Sequence, residues 1–177
     1  MDASELMRER MRREMERCVE EVEAGGDLLP RFLGFNAGGE MFAMFTPWES
    51  EQEKAVAMHH VRLFFAWKQV VSYIMVSEAW VVTREIDDTD RRAPADCEDR
   101  AEAIIVNGVS HREQVGLHSR IARDGRLVAC QPPVWQEGSM TGRMTDLLPP
   151  EGLGAPPPHI AREIERIFAG FPQGRAG

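Results

Sequence analysis

The stretch YIMVSEAWVV at 73–82 places one carboxylate inside a run of apolar residues with strand character. Alternate residues of a strand share a face, so Glu78 stands between Val76 and Trp80 on one apolar side. Burying an unpaired carboxylate there would carry a heavy desolvation cost, or raise its pKa until it kept its proton. Glu78 therefore needs a partner. Arg112, His118 and Arg120 recur at even positions of a later segment and so line one face of it. If that face adjoined Glu78, the sheet would hold a polar site with Glu78 as base or anchor, His118 beside it and Arg120 binding an anionic group. The competing reading is a structural ion pair, because such pairs also perturb carboxylates.

The remaining reactive residues form no motif. His59 and His60 are adjacent and point different ways on a helix, while His111 and His118 have opposite parity on one strand. Neither an HExxH pair nor a cysteine-rich ligand set is present, so no metal and no cofactor are expected. Asp87-Asp88-Thr89-Asp90 begins like a calcium loop but lacks the glycine and the twelfth-position glutamate, which points to a solvated turn. Gly138-Ser139-Met140-Thr141-Gly142 is not a GxSxG elbow, since serine directly follows the glycine. Gly34, Gly38 and Gly39 fit no phosphate-binding loop and read as turn residues. Of the thiols, Cys97 lies among acids, which suppress thiolate formation, Cys130 falls on a core face, and Cys18 reads as a small packed hydrophobe.

Composition narrows the class of function. The 177 residues carry a formal charge of −8, the opposite sign from a nucleic-acid binder. Seven acidic and three basic side chains crowd residues 87–102, which therefore read as a solvated charged loop. Three cysteines without a CxxC pair, and no apolar leader in the first 24 residues, lead to the expectation of a cytoplasmic protein. No apolar run is long enough to span a bilayer, so no membrane is expected.

The elements that must position these residues follow from periodicity. Residues 4–24 contain helix formers throughout, with Ser4 as a possible cap and Gly25-Gly26 as a stop. Met7, Met11, Met15, Cys18 and Val22 fall on one stripe of this helix, and everything around it is charged. Residues 31–48 look like two strands joined through 36–39 and covered on both sides. Ser50 and Glu53 announce a core helix reaching about Trp67, with Ala57, Met58, Val61, Phe64 and Phe65 on its inner side and Val56, Leu63 and Trp67 widening the buried arc. Residues 70–82 are apolar at both parities, as in a strand buried on both faces. Asn107-Gly108 and Asp124-Gly125 signal two hairpins linking strands near 102–106, 109–122 and 127–134. Two-residue loops there would set Val106 against Val109, Ile104 against His111, Ile121 against Val128 and Ser119 against Cys130. Residues 147–158 form a proline-rich connector, after which Ile160, Ile164, Ile167 and Phe168 line one side of a short helix.

The sequence thus predicts a single α+β domain: a mostly antiparallel sheet of five to six strands, a central core helix and amphipathic N- and C-terminal helices. Its expected organisation is an N-terminal helix at 1–26, a core at 27–146, and a connector with a terminal helix at 147–177. Two detached amphipathic helices favour a non-enzymatic interaction or assembly module. Met7, Met11, Met15, Val22, Ile164 and Phe168 would meet a protein partner or a second copy in a homodimer. The alternative is a small hydrolase or ligand-binding enzyme built on Glu78, His118 and Arg120.

Overall fold

A computed structural model of the chain describes residues 2–82, 92–93, 96–137 and 146–169. The Asp87–Asp90 run and the Gly138–Gly142 segment lie outside the described residues. In chain order the elements are α1 (Ala3–Glu23), β1 (Arg31–Asn36), β2 (Met41–Phe45), α2 (Glu51–Lys68), β3 (Val70–Val81), β4 (Ala101–Ser110), β5 (Gln114–Asp124), β6 (Leu127–Cys130), β7 (Val134–Glu137) and α3 (Pro158–Phe168). The strands form one antiparallel sheet in the order β2-β1-β3-β4-β5-β6, with β7 also paired to β5. The architecture is the predicted α+β domain, with seven strands instead of five or six. The extra strand arises because Pro132 and Pro133 cannot donate to a ladder and divide the expected 127–134 strand into β6 and β7. No helix among the described residues is long and apolar enough to cross a membrane.

Helices cover both faces of the sheet. On one face α1 sets Met7, Met11, Met15, Cys18 and Val22 against Leu33, Phe35, Ile74, Val76, Ile104, Val106, Val115, Leu117 and Ile121. Its cap is Asp2 rather than Ser4, and the exchange with Glu5 is reciprocal: Asp2 Oδ1 accepts from the Glu5 N–H at 2.8 Å, and Glu5 Oε2 from the Asp2 N–H at 2.9 Å. On the other face α2 brings Met58, Val61, Phe64 and Phe65 onto Phe32, Tyr73 and Met75. Ser50 caps it as expected, Oγ accepting from the Glu53 N–H at 3.2 Å. Val56 departs from the predicted arc, at 51% exposure. Helix α3 docks on α2 through Phe168, whose ring meets those of Phe64 at 5.1 Å and Trp67 at 6.5 Å.

That packing corrects the six residues assigned to a partner. Met7, Met11, Met15 and Val22 are at most 6% exposed, and Ile164 and Phe168 at most 5%, all against the chain's own core. A single-sided apolar stripe demands cover but does not say whose surface supplies it, and here the chain supplies it itself.

The hairpin at Asn107-Gly108 does not form. β4 runs straight through both residues and turns at 110–113, where Ser110 Oγ accepts from the Arg112 and Glu113 N–H groups. Gly108 is there for space: a Cβ would stand 2.5 Å from Met11 Sδ and 3.1 Å from Met7 Sδ, so glycine lets α1 approach the strand. Without a turn, Val109 stays in phase with the strand and faces α2, opposite Tyr73, rather than joining Val106. The Asp124-Gly125 hairpin forms but is shifted: Gly125, at φ +60°, is the first turn residue, so Ile121 meets Cys130 and Asp124 meets Leu127. A shift of two preserves parity, so the expected face of β5 survives.

Candidate functional site

Glu78 lies on the face that α1 covers, opposite Ile104 of β4 and in line with Val76, but beyond the apolar packing. Its partner comes from the far end of β5. Arg123 Nη2 stands 3.2 Å from Glu78 Oε1, while the same guanidinium grips Glu102 with Nε at 2.6 Å from Oε2 and Nη2 at 3.2 Å from Oε1. This is a forked arginine bridging two carboxylates. Strand twist and alternation place all three together: Glu102 precedes Ile104 by two residues, and Arg123 follows Ile121 by two. Next along this face, Ser119 Oγ donates to the Gln131 carbonyl at 2.6 Å, and the Cys130 N–H donates to Glu23 Oε1 at 2.9 Å.

The two carboxyls have opposite electrostatics. Burial, then a hydrogen bond to Glu102 and its negative charge, push Glu78 up to about 7 against the opposing pull of Arg123. Glu102 is lowered, chiefly by its hydrogen bonds from Arg123 and from Glu78. Below about 7 the pair therefore shares one proton, carried on Glu78. Such a pair can give and take a proton, but its arginine is already engaged by both carboxylates. Burial and the Glu23 charge raise Cys130, which keeps it a thiol and removes the thiolate that nucleophilic chemistry needs. Cys18 is raised to about 11, mainly by burial.

His118 and Arg120 lie on the opposite face of the sheet. Register places His118 beside Ile105 and Arg120 beside Ala103, on the side of Ser77 and Ala79. The His118 imidazolium is disfavoured by burial and then by the charge of Arg120. Arg112 sits in the β4–β5 turn, where with His111, Ser72, Gln69 and Asp2 it lines an open hollow of about 1000 Å³. The predicted constellation is therefore not assembled: an odd-parity arginine, not the even-parity ones, meets Glu78. The missed residues are Glu102 and Arg123. Glu102 was legible by its parity with Ile104 but lay inside a run that reads as a solvated loop. Among the described residues, no three His, Cys, Asp or Glu side chains group to hold a metal.

The acid pair makes stability depend on pH with a definite sign. Folded Glu78 keeps its proton up to about 7, whereas the ordinary value is 4.5, so between these the folded state binds more protons and stability falls as pH rises. Glu102 acts in reverse: its contribution is present above the ordinary value and is lost as pH falls through its lowered folded value. Glu78→Gln is expected to abolish the decline and to stabilise the protein at about pH 8, relative to wild type, by ~1 kcal/mol after allowance for solvent screening at a half-buried site. Urea midpoints at about pH 5 and about pH 8 measure this, and parallel slopes for wild type and variant would refute the shared proton.

The geometry must speak alone. No family profile, curated protein or solved structure matches this chain. What the geometry offers besides the acid pair is an open edge on the sheet. β2 pairs with β1 and with no other strand among the described residues. Its sequence, MFAMF, contains no charge and no proline, the devices that usually protect such an edge. Met41 and Phe45 are 42% and 40% exposed on the α1 side. On the α2 side, Met44, Thr46, Val56 and His60 border a groove of about 580 Å³.

Proposed function

We propose that the chain is a non-enzymatic protein-interaction or assembly module that works through the β2 edge of its sheet. The reading keeps the class of function expected from the sequence and moves its surface, because the helix stripes are covered by the chain's own core. One observation carries it: an unprotected, uncharged edge strand that exposes its own Met41 and Phe45, with exposed Val56 of α2 nearby. An added strand there gains main-chain hydrogen bonds for affinity and side-chain contacts on alternate positions for specificity. The hydrolase alternative needed Glu78, His118 and Arg120 on one surface, and the sheet separates them. The three free cysteines support a reducing compartment such as the cytoplasm.

The test is a photo-crosslinking amino acid at position 45 in cells expressing the full chain, with position 163 on the exposed side of α3 as control. Discrete protein adducts at 45, lost when Met41→Lys is added, are expected. Adducts no different from those at 163 would overturn the reading.

A further inference from the structure

The direction of the β2 main chain identifies which residues offer hydrogen bonds outward. The Asn36 N–H donates to the Glu40 carbonyl, and the Thr46 N–H to the Pro30 carbonyl. Phe42 and Met44 pair with Gly34 and Phe32 in the same phase. In an antiparallel ladder bonded and non-bonded pairs alternate, so the even residues of β2 turn their N–H and C=O groups to β1. Met41, Ala43 and Phe45 consequently turn theirs away from the sheet.

This odd set is symmetric about Ala43, and so is the side-chain pattern. An antiparallel copy centred on Ala43 sets Ala43 against itself, Met41 against Phe45 and Phe42 against Met44. It is the one register in which every outward residue meets an outward residue. Three N–H and three C=O groups from each copy then form six main-chain hydrogen bonds. Each off-axis pair places a methionine sulfur beside an aromatic ring, a favourable contact, with the exposed Met41–Phe45 pairs on the α1 side and the Phe42–Met44 pairs on the α2 side. The flanking Glu40 meets Thr46 of the second copy, so no like charges oppose. Lone edges in soluble proteins usually carry a lysine, proline or bulge against such pairing, and this one has none.

We infer that the partner of the β2 edge is a second copy of this chain, joined by antiparallel β2–β2 pairing about Ala43 into one sheet continuous across a twofold axis. The inference rests on the proposed interaction reading and names its partner. Closed twofold self-pairing also removes the open edge, which explains how an unguarded strand is kept from further aggregation.

The experiment is sedimentation of the purified full chain. Wild type is expected at twice the 20.0 kDa chain mass. Met41→Lys/Phe45→Lys, which opposes two lysines across each off-axis pair, is expected at the single mass with an unchanged circular-dichroism spectrum. Met41→Lys/Phe45→Glu places opposite charges across the same pairs and is expected to restore the double mass. The restoration separates this register from a mere loss of apolar surface or of folding. A single mass for wild type, or a double mass for the Lys/Lys variant, would overturn self-pairing. If the single-mass wild type still gave position-45 adducts with other proteins, only the identity of the partner would fall. If it gave none, the interaction reading would fall with it.

Discussion

Removal of residues 1–24 will leave a chain that no longer unfolds cooperatively. Were α1 a detached arm for a partner, its loss would spare the remaining domain. In the structure α1 covers the apolar centre of one face of the sheet, with Met11 and Cys18 at 0% exposure and Met15 and Val22 at 1%. Uncovered, that face would present Leu33, Phe35, Ile74, Val76, Ile104, Val106, Val115 and Leu117 to water. Five buried side chains on the helix, at ~1.5–3 kcal/mol each, are worth about 8–15 kcal/mol, which equals the entire stability of an ordinary domain. Calorimetry on the truncated chain is expected to show no transition, or only a weak one, together with aggregation through the exposed face. A truncated protein melting within a few degrees of wild type would mean that α1 does not belong to the core.

Periodicity revealed that stripe plainly: steps of three and four in Met7, Met11, Met15, Cys18 and Val22 admit no element but a helix with one apolar side. The identity of the covering surface was not legible, because a stripe fits a partner's sheet and its own equally well. Gly108 shows the same gap from the other side. Asn-Gly is a strong local turn signal, yet the glycine answers a long-range demand, the approach of Met7 and Met11, that no local pattern encodes. Glu78 was legible as a carboxylate in need of a partner, and it has one. Choosing among the arginines required the register of β3 against β4, which local pattern does not give: Glu78 falls opposite Ile104 and therefore shares the odd-numbered face of β5. Arg123 falls one residue past the expected 109–122 strand, so the alternation that puts it on the face of Ile121 stops short of it.

The acid pair stands on β3 and β4, and β1 lies between β3 and the β2 edge. Occupation of the edge therefore need not touch Glu78, and the pH dependence of stability provides a readout independent of assembly. Both features share one cause. Where α1 and α2 cover the sheet most of its residues are apolar and buried, and where the helices end the strands carry either neutralised charge or bare backbone.

Arg31→Met will destabilise the protein more than any exposed charge substitution, and adding Glu14→Leu will recover most of the loss. Arg31 of β1 is 5% exposed and faces α1. Its Nη2 lies 3.4 Å from Glu14 Oε2 and 3.1 Å from Cys18 Sγ, its Nη1 lies 3.5 Å from Glu21 Oε2, and its Nε has no hydrogen-bond partner. Such a pair gains little over a well-packed apolar replacement, because desolvating both charges offsets most of their attraction. Breaking it is another matter, since Glu14, itself 8% exposed, would keep only the largely exposed Arg17 at 2.9 Å. The single variant is therefore expected to lose about 2–4 kcal/mol, slightly relieved by Arg17, and the double variant less than about 1 kcal/mol. Arg31→Lys should not rescue, because an ammonium cannot reach two carboxylates with the planar fork that serves Glu14 and Glu21 together. Urea unfolding of the four proteins measures all three differences. If the single variant lost no more than about 0.5 kcal/mol, the usual limit for surface changes, the pair would not be what anchors α1 to β1.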